Sequence, residues 1–254
     1  MDGADARDQS GSESVKAALI TIATRKKYHH YAGAMFKSAK EFFPLAERIA
    51  FTDGIGCDDP ETDIVVPFIA NADKCLLIPT AEYPEVTLKR YHTILSFYDE
   101  LKDYDQIFWI DADMRFVALV GEEIFSSGIT ATLHPGYVGE RGTPERNPFS
   151  SCFIPFNAQN KYFCGGFNGG STEAFLKMAE ICADSIDIDA RNGIIPLWHD
   201  ESATNHYLYK YPPSKILDPS YCYPEGAGDH YLNKWRAAGI NPTPKILALT
   251  KVGR

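Results

Sequence analysis

Two aspartates separated by a single residue follow an apolar run near the middle of the chain. The run is QIFWI, residues 106–110, and Asp111 and Asp113 come directly after it. An unbroken apolar run of this length is typical of a strand covered on both faces. Side chains at i and i+2 of extended chain point the same way, so both carboxylates can converge on one small ligand. The carboxyl end of a central strand is where open α/β sheets bind their ligands.

The chemistry of such a carboxylate pair points to a cation. Two convergent carboxylates repel each other unless a positive charge lies between them. Hard oxygen ligands suit Mn²⁺ or Mg²⁺, which usually complete their coordination with substrate phosphates. The chain lacks a G-x-x-x-x-G-K-[ST] segment, which disfavours an ordinary kinase or ATPase and leaves a nucleotide-sugar diphosphate as the natural partner. The alternative is a strand-end turn held by local aspartate hydrogen bonds.

A second group of chemically suited residues is WHDES, residues 198–202. Trp198 followed by His199, Asp200 and Glu201 is the composition of a sugar subsite, an aromatic platform beside carboxylates. A carboxylate facing an anomeric carbon can stabilise an oxocarbenium-like state or attack it. The alternative is a helix start, because acidic residues in a first turn suit the helix dipole.

Three further features are weaker signals. The glycine pairs of CGGFNGGS, residues 164–171, permit close backbone approach to a ligand but equally mark plain turns. His134 stands beside Pro135, where a histidine is usually structural. Arg90 lies on a predicted helix, where a charge is usually solvated. None of these features carries a function without the others.

The overall composition bounds the class of protein. The chain has 254 residues, 44% of them hydrophobic and 23% charged, which is enough for one sizeable α/β domain. A net charge of −9 argues against nucleic acid as a partner. No run of about twenty apolar residues predicts a membrane span. Residues 1–14 are polar and predict a disordered tail without a signal peptide. Six cysteines without a C-x-x-C pattern predict reduced thiols in a cytoplasmic protein.

Strand and helix patterns alternate through the first half of the chain. Apolar runs predict strands in 15–24 and 47–53 and near 64–69 and 74–80, and helical periodicity predicts helices over 26–43 and 82–104. This alternation predicts a mainly parallel sheet between two layers of helices. In the second half we expect a strand in 128–137 broken by Pro135, a glycine-rich turn leading to a helix at Ser171 or Thr172, and a helix beginning around 199–202.

Taken together, these segments resemble a known family. The order IDADMRF, HPGY, TPERNPFSSCFIP, YFCGGFNGGS, NGIIPLWHDES is similar to that of the family 6 retaining glycosyltransferases, the histo-blood-group A/B and α-1,3-galactosyltransferase type, from about Ala18 nearly to the C-terminus. The resemblance implies a glycosyltransferase-A fold in a single catalytic domain, residues 15–254. Within it, 15–116 would be mainly nucleotide-binding, 117–240 would bind the donor sugar and the acceptor, and 241–254 would be a mobile basic tail.

The resemblance also implies residue roles. Glu201 takes the position of the nucleophile or front-face stabiliser and also contacts the acceptor. Asp111 and Asp113 are the implied ligands of Mn²⁺ or Mg²⁺. The implied donor-binding residues are Ile22, Ala23, Thr24, Tyr28, Arg90, Asp111, Ala112, Asp113, Cys164, Gly165, Gly166, Asp200, Lys245 and Lys251. The implied acceptor-binding residues are His134, Thr143, Trp198 and Glu201.

The expected reaction is transfer from a UDP-sugar to a galactoside-containing oligosaccharide in α-1,3 linkage. Cys164 and Gly166 occupy the donor-selecting positions, where small residues leave room for an N-acetyl group, so UDP-GalNAc is favoured over UDP-Gal. Because the chain keeps both metal-binding aspartates, unlike many bacterial relatives, we expect metal dependence. Because it shows no membrane anchor or stem, it resembles the soluble bacterial and phage members.

Two other functions compete with this interpretation. One is a non-catalytic protein that binds a nucleotide sugar or a glycan with the same fold, which the intact aspartate pair and Glu201 disfavour. The other is a glycoside hydrolase, whose two carboxyl groups must span a glycosidic bond. Asp111 and Asp113 are too close together in the chain for that arrangement.

Overall fold

A seven-stranded sheet lies at the centre of the computed structural model, which describes residues 15–57, 65–158 and 161–250. The strands, in chain order, are β1 (Ala17–Ala23), β2 (Ala46–Thr52), β3 (Ile55–Cys57), β4 (Val65–Pro67), β5 (Lys74–Leu77), β6 (Gln106–Ile110), β7 (Met114–Phe116), β8 (Ile129–Leu133), β9 (Phe163–Ser171), β10 (Lys215–Leu217), β11 (Tyr223–Pro224) and β12 (Ile246–Ala248). The helices are α1 (Arg25–Phe42), α2 (Glu85–Leu88), α3 (Arg90–Ser96), α4 (Tyr98–Leu101), α5 (Thr172–Arg191), α6 (Asp200–Lys210) and α7 (Asp229–Ala237).

The central sheet is mainly parallel, which confirms the predicted fold class. Its spatial order is β10-β8-β9-β6-β1-β2-β5. Strands β6, β1, β2 and β5 run parallel to one another, and β10 runs parallel to β8. Only β9 is antiparallel to its neighbours within this sheet, β6 and β8. The carboxyl ends of β1 and β6 therefore meet at one edge, directly before Asp111.

Strand β9 corrects one prediction from the sequence. The glycine-rich segment was expected to be a turn, but it forms a nine-residue strand in the middle of the sheet. A Cβ on Gly169 would clash with the backbone of β6 at Ile107, and a Cβ on Gly170, whose φ is +136°, would clash with the carbonyl oxygen of Gly128. The glycines are therefore needed for close strand packing rather than for chain reversal.

The helices cover both faces of the sheet. Helix α1 buries Met35 and Phe36 against one face, where they join Leu19 and Phe108 in one core cluster. On the other face, α3 and α5 bury Tyr91 and Phe175 in a second core cluster. Within the described part of the chain, no helix has both the length and the apolar character needed to cross a bilayer.

The helix predicted over 82–104 is wrong as a single element. The structure divides this stretch into α2, α3 and α4, because the backbone leaves helical geometry at Lys89 (φ −93°, ψ 6°) and Phe97 (φ −116°, ψ 34°). The first break makes Arg90 the first residue of α3. Its side chain is turned into the protein and is only 5% exposed.

A small second sheet lies beside the aspartates. Strand β12 pairs antiparallel with β7 and parallel with β11. Part of the segment predicted to be a basic tail is thus a strand adjoining β7, which begins directly after Asp113. The backbone N–H of Leu249 donates to the carbonyl oxygen of Asp113 at 3.0 Å, so the C-terminal segment borders the aspartate pair.

Candidate functional site

A cavity of about 330 Å³ opens at the carboxyl ends of β1 and β6. Ile22, Thr24 and Tyr28, from β1 and α1, line part of this cavity, and Arg90 and the segment 111–113 line another part. These are donor-binding residues predicted from the resemblance, and the structure brings them together. Ala23 is fully buried and is not part of this wall.

A second cavity, of about 480 Å³, adjoins the first. Asp111 and Asp113 line both cavities, so the aspartate pair stands where they meet. The residues that line the second cavity and were predicted from the sequence are His134, Cys164, Gly166 and Glu201. Two regions distant in the chain, the aspartate pair and Glu201 of the WHDES segment, therefore face one space, whereas Trp198 and Asp200 line neither cavity.

The guanidinium of Arg90 joins these regions. Nη2 donates to Oδ1 of Asp111 at 3.0 Å, and Nη1 donates to the carbonyl oxygen of Gly165 at 2.9 Å. Nη1 also lies 2.7 Å from Oδ2 of Asp200, an ion-pair distance without hydrogen-bond geometry. Burial lowers the pKa of Arg90, but the carboxylates of Asp200 and Asp111 outweigh it and the pKa is raised. Arg90 is therefore a permanent positive charge inside the site.

Trp109 also holds Asp111 in place. Its indole Nε1 donates to Oδ1 of Asp111 at 2.9 Å, and its ring centroid lies 4.0 Å from the guanidinium carbon of Arg90, a cation–π contact. Trp109 was not predicted from the sequence. Its position two residues before Asp111 on the same strand face was the signal that could have identified it.

Glu201 is fixed by two hydrogen bonds. The hydroxyl of Tyr162 donates to Oε1 at 2.6 Å, and the backbone N–H of Gly165 donates to Oε2 at 2.7 Å. Burial raises the pKa of Glu201 to about 7, although both hydrogen bonds oppose that shift. A carboxyl group with this pKa is poised between its two protonation states near neutral pH. Tyr162 was also missed, because nothing in its sequence context links it to residue 201.

Asp200 is the most enclosed acid of the site. It is 4% exposed, and burial raises its pKa to about 6, while Arg90 works in the opposite direction. It begins α6 directly after His199, whose φ of +51° is unusual for a residue with a side chain. Such strain is kept where the surroundings require it, and here it lies directly before the two acids, of which Glu201 binds Gly165 of β9 and Asp200 pairs with Arg90 of α3.

The predicted acceptor residues lie on the side of Glu201. Trp198 is 47% exposed, and its Nε1 donates to Oγ1 of Thr143 at 2.9 Å, which fixes the plane of the ring. Nδ1 of His134 accepts from the backbone N–H of Gly136 at 3.1 Å. Burial, followed by the charge of Lys234, lowers the pKa of His134 to about 4, so this imidazole is neutral near pH 7. The arrangement offers the exposed indole ring of Trp198 and the neutral imidazole of His134 beside Glu201.

The space around Gly166 is limited by three side chains. A Cβ at this position would lie 3.3 Å from Sδ of Met114 and 3.5 Å from both Oδ2 of Asp111 and Sγ of Cys222. Cys164 also lines this cavity, and its contact with Cys222 is the main reason that the pKa of the Cys222 thiol is raised. A glycine at 166 therefore leaves room that even a methyl group would largely fill.

The aspartate pair fits a hard divalent cation that takes part of its ligands from the protein and part from a substrate. The described residues contain no group of three histidine, cysteine or acidic side chains able to enclose a metal ion. Asp111 and Asp113 supply oxygen ligands on an open cavity wall, so an ion held there would take its remaining ligands from phosphate and water. This is the usual manner of binding for Mg²⁺, and Mn²⁺ suits the same oxygen donors.

Of the two lysines predicted to bind the donor, Lys245 has another contact. Its Nζ lies 2.6 Å from Oε1 of Glu123, which also accepts from the hydroxyl of Tyr221 at 3.1 Å, and Lys245 lines neither cavity. Lys251 lies outside the described residues. Donor binding by these two lysines stays a prediction.

Comparison with known proteins connects this geometry to a family. The sequence profile of glycosyltransferase family 6 matches residues 12–239. The histo-blood group ABO system transferase 1 of Rattus norvegicus is 30% identical over 212 residues, covering 80% of this chain and 60% of that protein. The globoside alpha-1,3-N-acetylgalactosaminyltransferase 1 of Mus musculus is 29% identical over 81% of this chain and 60% of its own length.

A bacterial relative is also similar. The O-antigen biosynthesis glycosyltransferase WbnI of Escherichia coli is 29% identical over 152 residues, covering 58% of this chain and 64% of that protein. The chain thus spans about three-fifths of the length of the curated relatives that it matches. The family inferred from the aspartate pair, the glycine-rich segment and WHDES is confirmed.

Proposed function

The chain belongs to glycosyltransferase family 6, and we propose that it is a retaining hexosyltransferase. The proposed reaction moves GalNAc, or Gal, from a UDP-sugar to a galactoside-containing oligosaccharide in α-1,3 linkage with the assistance of a metal ion. Relatives in the family carry the names of ABO, α-1,3-N-acetylgalactosaminyl and O-antigen transferases, which supports glycosyl transfer as the reaction class.

One observation carries the proposal. Asp111 and Asp113, suited to a cation and a diphosphate, line the same cavity as Glu201, a carboxyl group held by two hydrogen bonds. A sugar nucleotide needs these two groups at its two ends, a charge-neutralising site at the phosphate and a carboxylate at the anomeric carbon. A hydrolase would not need the charge-neutralising site at the phosphate. A simple binding protein would not need the carboxylate at the anomeric carbon.

The three parts of the chain take different tasks in this proposal. Residues 15–116 hold the nucleoside in the cavity beside Thr24 and Tyr28. Residues 117–240 hold the transferred sugar and the acceptor around Glu201. The segment 241–254 would bind the diphosphate, and its described part supports this task, because the N–H of Leu249 donates to the carbonyl oxygen of Asp113.

The chain's own residues supply positioning and charge. Asp111 and Asp113 would hold the Mn²⁺ or Mg²⁺ ion, which, when bound, neutralises negative charge on the departing diphosphate. Arg90 pairs with both Asp111 and Asp200 and holds the two carboxylates in place, so that no reorganisation is required during the reaction. Asp200 accepts hydrogen bonds from hydroxyl groups of the donor sugar. Trp198 and His134 orient the acceptor sugar, which reduces the entropic part of the barrier.

Glu201 is the proposed catalytic residue. In a double displacement its carboxylate attacks the anomeric carbon and the bond to UDP breaks. The acceptor hydroxyl then displaces Glu201 and gives its proton to a phosphate oxygen of the released UDP, which gives net retention. In same-face attack Glu201 stabilises the oxocarbenium-like charge, while the acceptor hydroxyl enters on the side that UDP leaves and gives its proton to the departing phosphate. Both routes require the ionised form of Glu201, which Tyr162 and the Gly165 N–H stabilise by hydrogen bonding.

The deciding experiment measures UDP release from UDP-GalNAc and UDP-Gal, with Mn²⁺ or with EDTA, and with lactose or water as the acceptor. We expect metal-dependent turnover that favours UDP-GalNAc and lactose. Glu201→Gln and Asp113→Asn are the matched variants. Glu201→Gln is expected to lose turnover while retaining UDP binding. Asp113→Asn is expected to lose the metal-dependent turnover.

Other outcomes would exclude parts of the proposal. Full activity in EDTA would exclude Asp111 and Asp113 as ligands of an essential ion. UDP-sugar binding without turnover by the wild-type protein would instead favour a non-catalytic nucleotide-sugar-binding protein. Cleavage of a simple glycoside in the absence of UDP would favour a hydrolase.

A further inference from the structure

Two loops beside the acceptor residues expose large apolar side chains. They are residues 141–158, between β8 and β9, and residues 193–198, before α6. Two of these side chains, Phe149 and Phe156, are the most exposed large apolar side chains among the described residues. The exposed residues are Phe149 (82%), Phe156 (74%), Ile195 (63%), Leu197 (53%) and Trp198 (47%). We call these five residues the aromatic face, after its three aromatic members Phe149, Phe156 and Trp198.

Buried carboxylates hold the two loops together. Oε1 of Glu145 accepts from the backbone N–H of Asn147 at 2.7 Å, and Oε2 accepts from the N–H of Leu197 at 2.6 Å. Asp189, fully buried at the end of α5, accepts from the hydroxyl of Ser150 and the N–H of Ser151, both at 2.5 Å. Hydrogen bonds to Glu145 and Asp189 therefore anchor the loops, and the aromatic face lies on an ordered backbone.

Two arginines accompany the exposed rings. The guanidinium carbon of Arg146 lies 4.6 Å from the ring centroid of Phe156, and Arg141 donates to the backbone oxygen of Phe156. Burial and the neighbouring charge of Arg141 lower the pKa of Arg146. Among the described residues, no carboxylate forms an ion pair with either guanidinium. The two adjacent arginines give this face a local positive charge, opposite in sign to the net charge of −9 of the chain, and this local charge favours an anionic partner.

We propose that the aromatic face docks on the surface of an anionic phospholipid bilayer. Apolar rings that project from a surface enter the boundary between headgroups and acyl chains, and nearby arginines bind anionic headgroups. A protein partner would need pockets to receive two separate phenylalanines, whereas a bilayer accepts them at any lateral position. Since Trp198 belongs to both the aromatic face and the acceptor side, this docking would present the acceptor side of the site to membrane-bound acceptors.

Vesicle co-sedimentation tests the proposal without any requirement for turnover. The wild-type protein is expected to bind vesicles of phosphatidylcholine mixed with phosphatidylglycerol much more strongly than vesicles of phosphatidylcholine alone. The double variant Phe149→Ser/Phe156→Ser should bind the mixed vesicles on the order of tenfold more weakly. The control is Leu119→Ser, which removes an apolar side chain of similar exposure, 68%, from outside the two loops. Circular dichroism and the thermal midpoint establish that each variant is folded.

The salt dependence of wild-type binding gives a second measurement that needs no variant. Binding to the mixed vesicles should fall several-fold as the salt concentration rises, because screening weakens the attraction of the arginines. Absence of wild-type binding to mixed vesicles, or an equal loss in Leu119→Ser, would overturn the proposal. So would a double variant that binds vesicles normally but raises KM for a soluble acceptor, since the rings would then stack on sugar. Vesicle binding by a protein without transferase activity would refute only the proposed function.

Discussion

Arg90 and Asp200, the first residues of helices α3 and α6, form a buried ion pair with 2.7 Å between Nη1 and Oδ2. Both side chains are almost inaccessible, and the same guanidinium also binds Asp111 at the end of β6. One cation therefore compensates two carboxylates from distant parts of the chain. This arrangement connects the stability of the fold with the electrostatics of the candidate active site.

Replacing Arg90 should destabilise the protein strongly. Arg90→Met leaves Asp200 and Asp111 without their common partner, and breaking a buried ion pair from one side costs about 3–5 kcal/mol. We expect the free energy of unfolding in urea to fall by this amount, and Arg90→Met/Asp200→Leu to recover part of it. Arg48→Met is the control, because the side chain of its partner Asp73 is 37% exposed, whereas that of Asp200 is only 6% exposed. A similar loss in both single variants would contradict the argument.

Removing the hydroxyl of Tyr162 should alter the pH dependence of activity. The Tyr162 hydroxyl favours ionised Glu201, so Tyr162→Phe should raise the apparent pKa seen in kcat/KM above its wild-type value near 7. Activity lost at neutral pH should be partly recovered at alkaline pH. Tyr104→Phe removes another tyrosine–glutamate hydrogen bond, that to Glu47, far from the cavities. A pH profile shifted equally by Tyr104→Phe would show that the effect does not come from Glu201.

The pH dependence of stability should reveal Glu201 directly. A carboxyl group whose folded pKa is raised, here from 4.5 to about 7, contributes stability below its unfolded pKa and loses that contribution as pH rises to 7. Glu201→Gln cannot ionise, so its free energy of unfolding relative to the wild type should increase between pH 4.5 and 7.5, by up to about 3 kcal/mol. Urea unfolding at both pH values measures the difference, and a constant difference would contradict the raised pKa.

A methyl group at position 166 should change donor preference. In Gly166→Ala the added Cβ lies within 3.5 Å of Met114, Asp111 and Cys222, and so narrows the space proposed for the N-acetyl group. We expect kcat/KM for UDP-GalNAc to fall on the order of tenfold more than kcat/KM for UDP-Gal, a difference of about 1.4 kcal/mol. Gly165→Ala is the control, because its Cβ would contact Oε2 of Glu201 at 3.3 Å and should impair both donors alike. Equal losses for both donors in Gly166→Ala would place the N-acetyl group elsewhere.

Local patterns were sufficient to predict much of the fold. Apolar runs and helical periodicity predicted β1, α1, β2 and β6 to within a residue or two, because burial on a sheet or beneath a helix imposes its period on the sequence. The same patterns failed for β9, where glycines serve close strand packing, and for 82–104, where Lys89 and Phe97 interrupt the helix. Whether a glycine lies in a strand or in a turn, and where a helix is interrupted, depends on neighbours distant in the chain. A local pattern does not contain that information.

The kinds of side chain that form the site could likewise be predicted from the sequence alone. The i, i+2 spacing of Asp111 and Asp113 after an apolar strand, and the WHDES segment, identified the acids and the family. Tertiary structure alone decided which atoms meet: the guanidinium of Arg90 between Asp111 and Asp200, the Tyr162 hydroxyl on Glu201, and the two arginines beside the exposed rings of 141–158. The reason is physical. Spacing determines the direction of neighbouring side chains, whereas pKa and charge compensation depend on burial and on contacts between residues far apart in the chain.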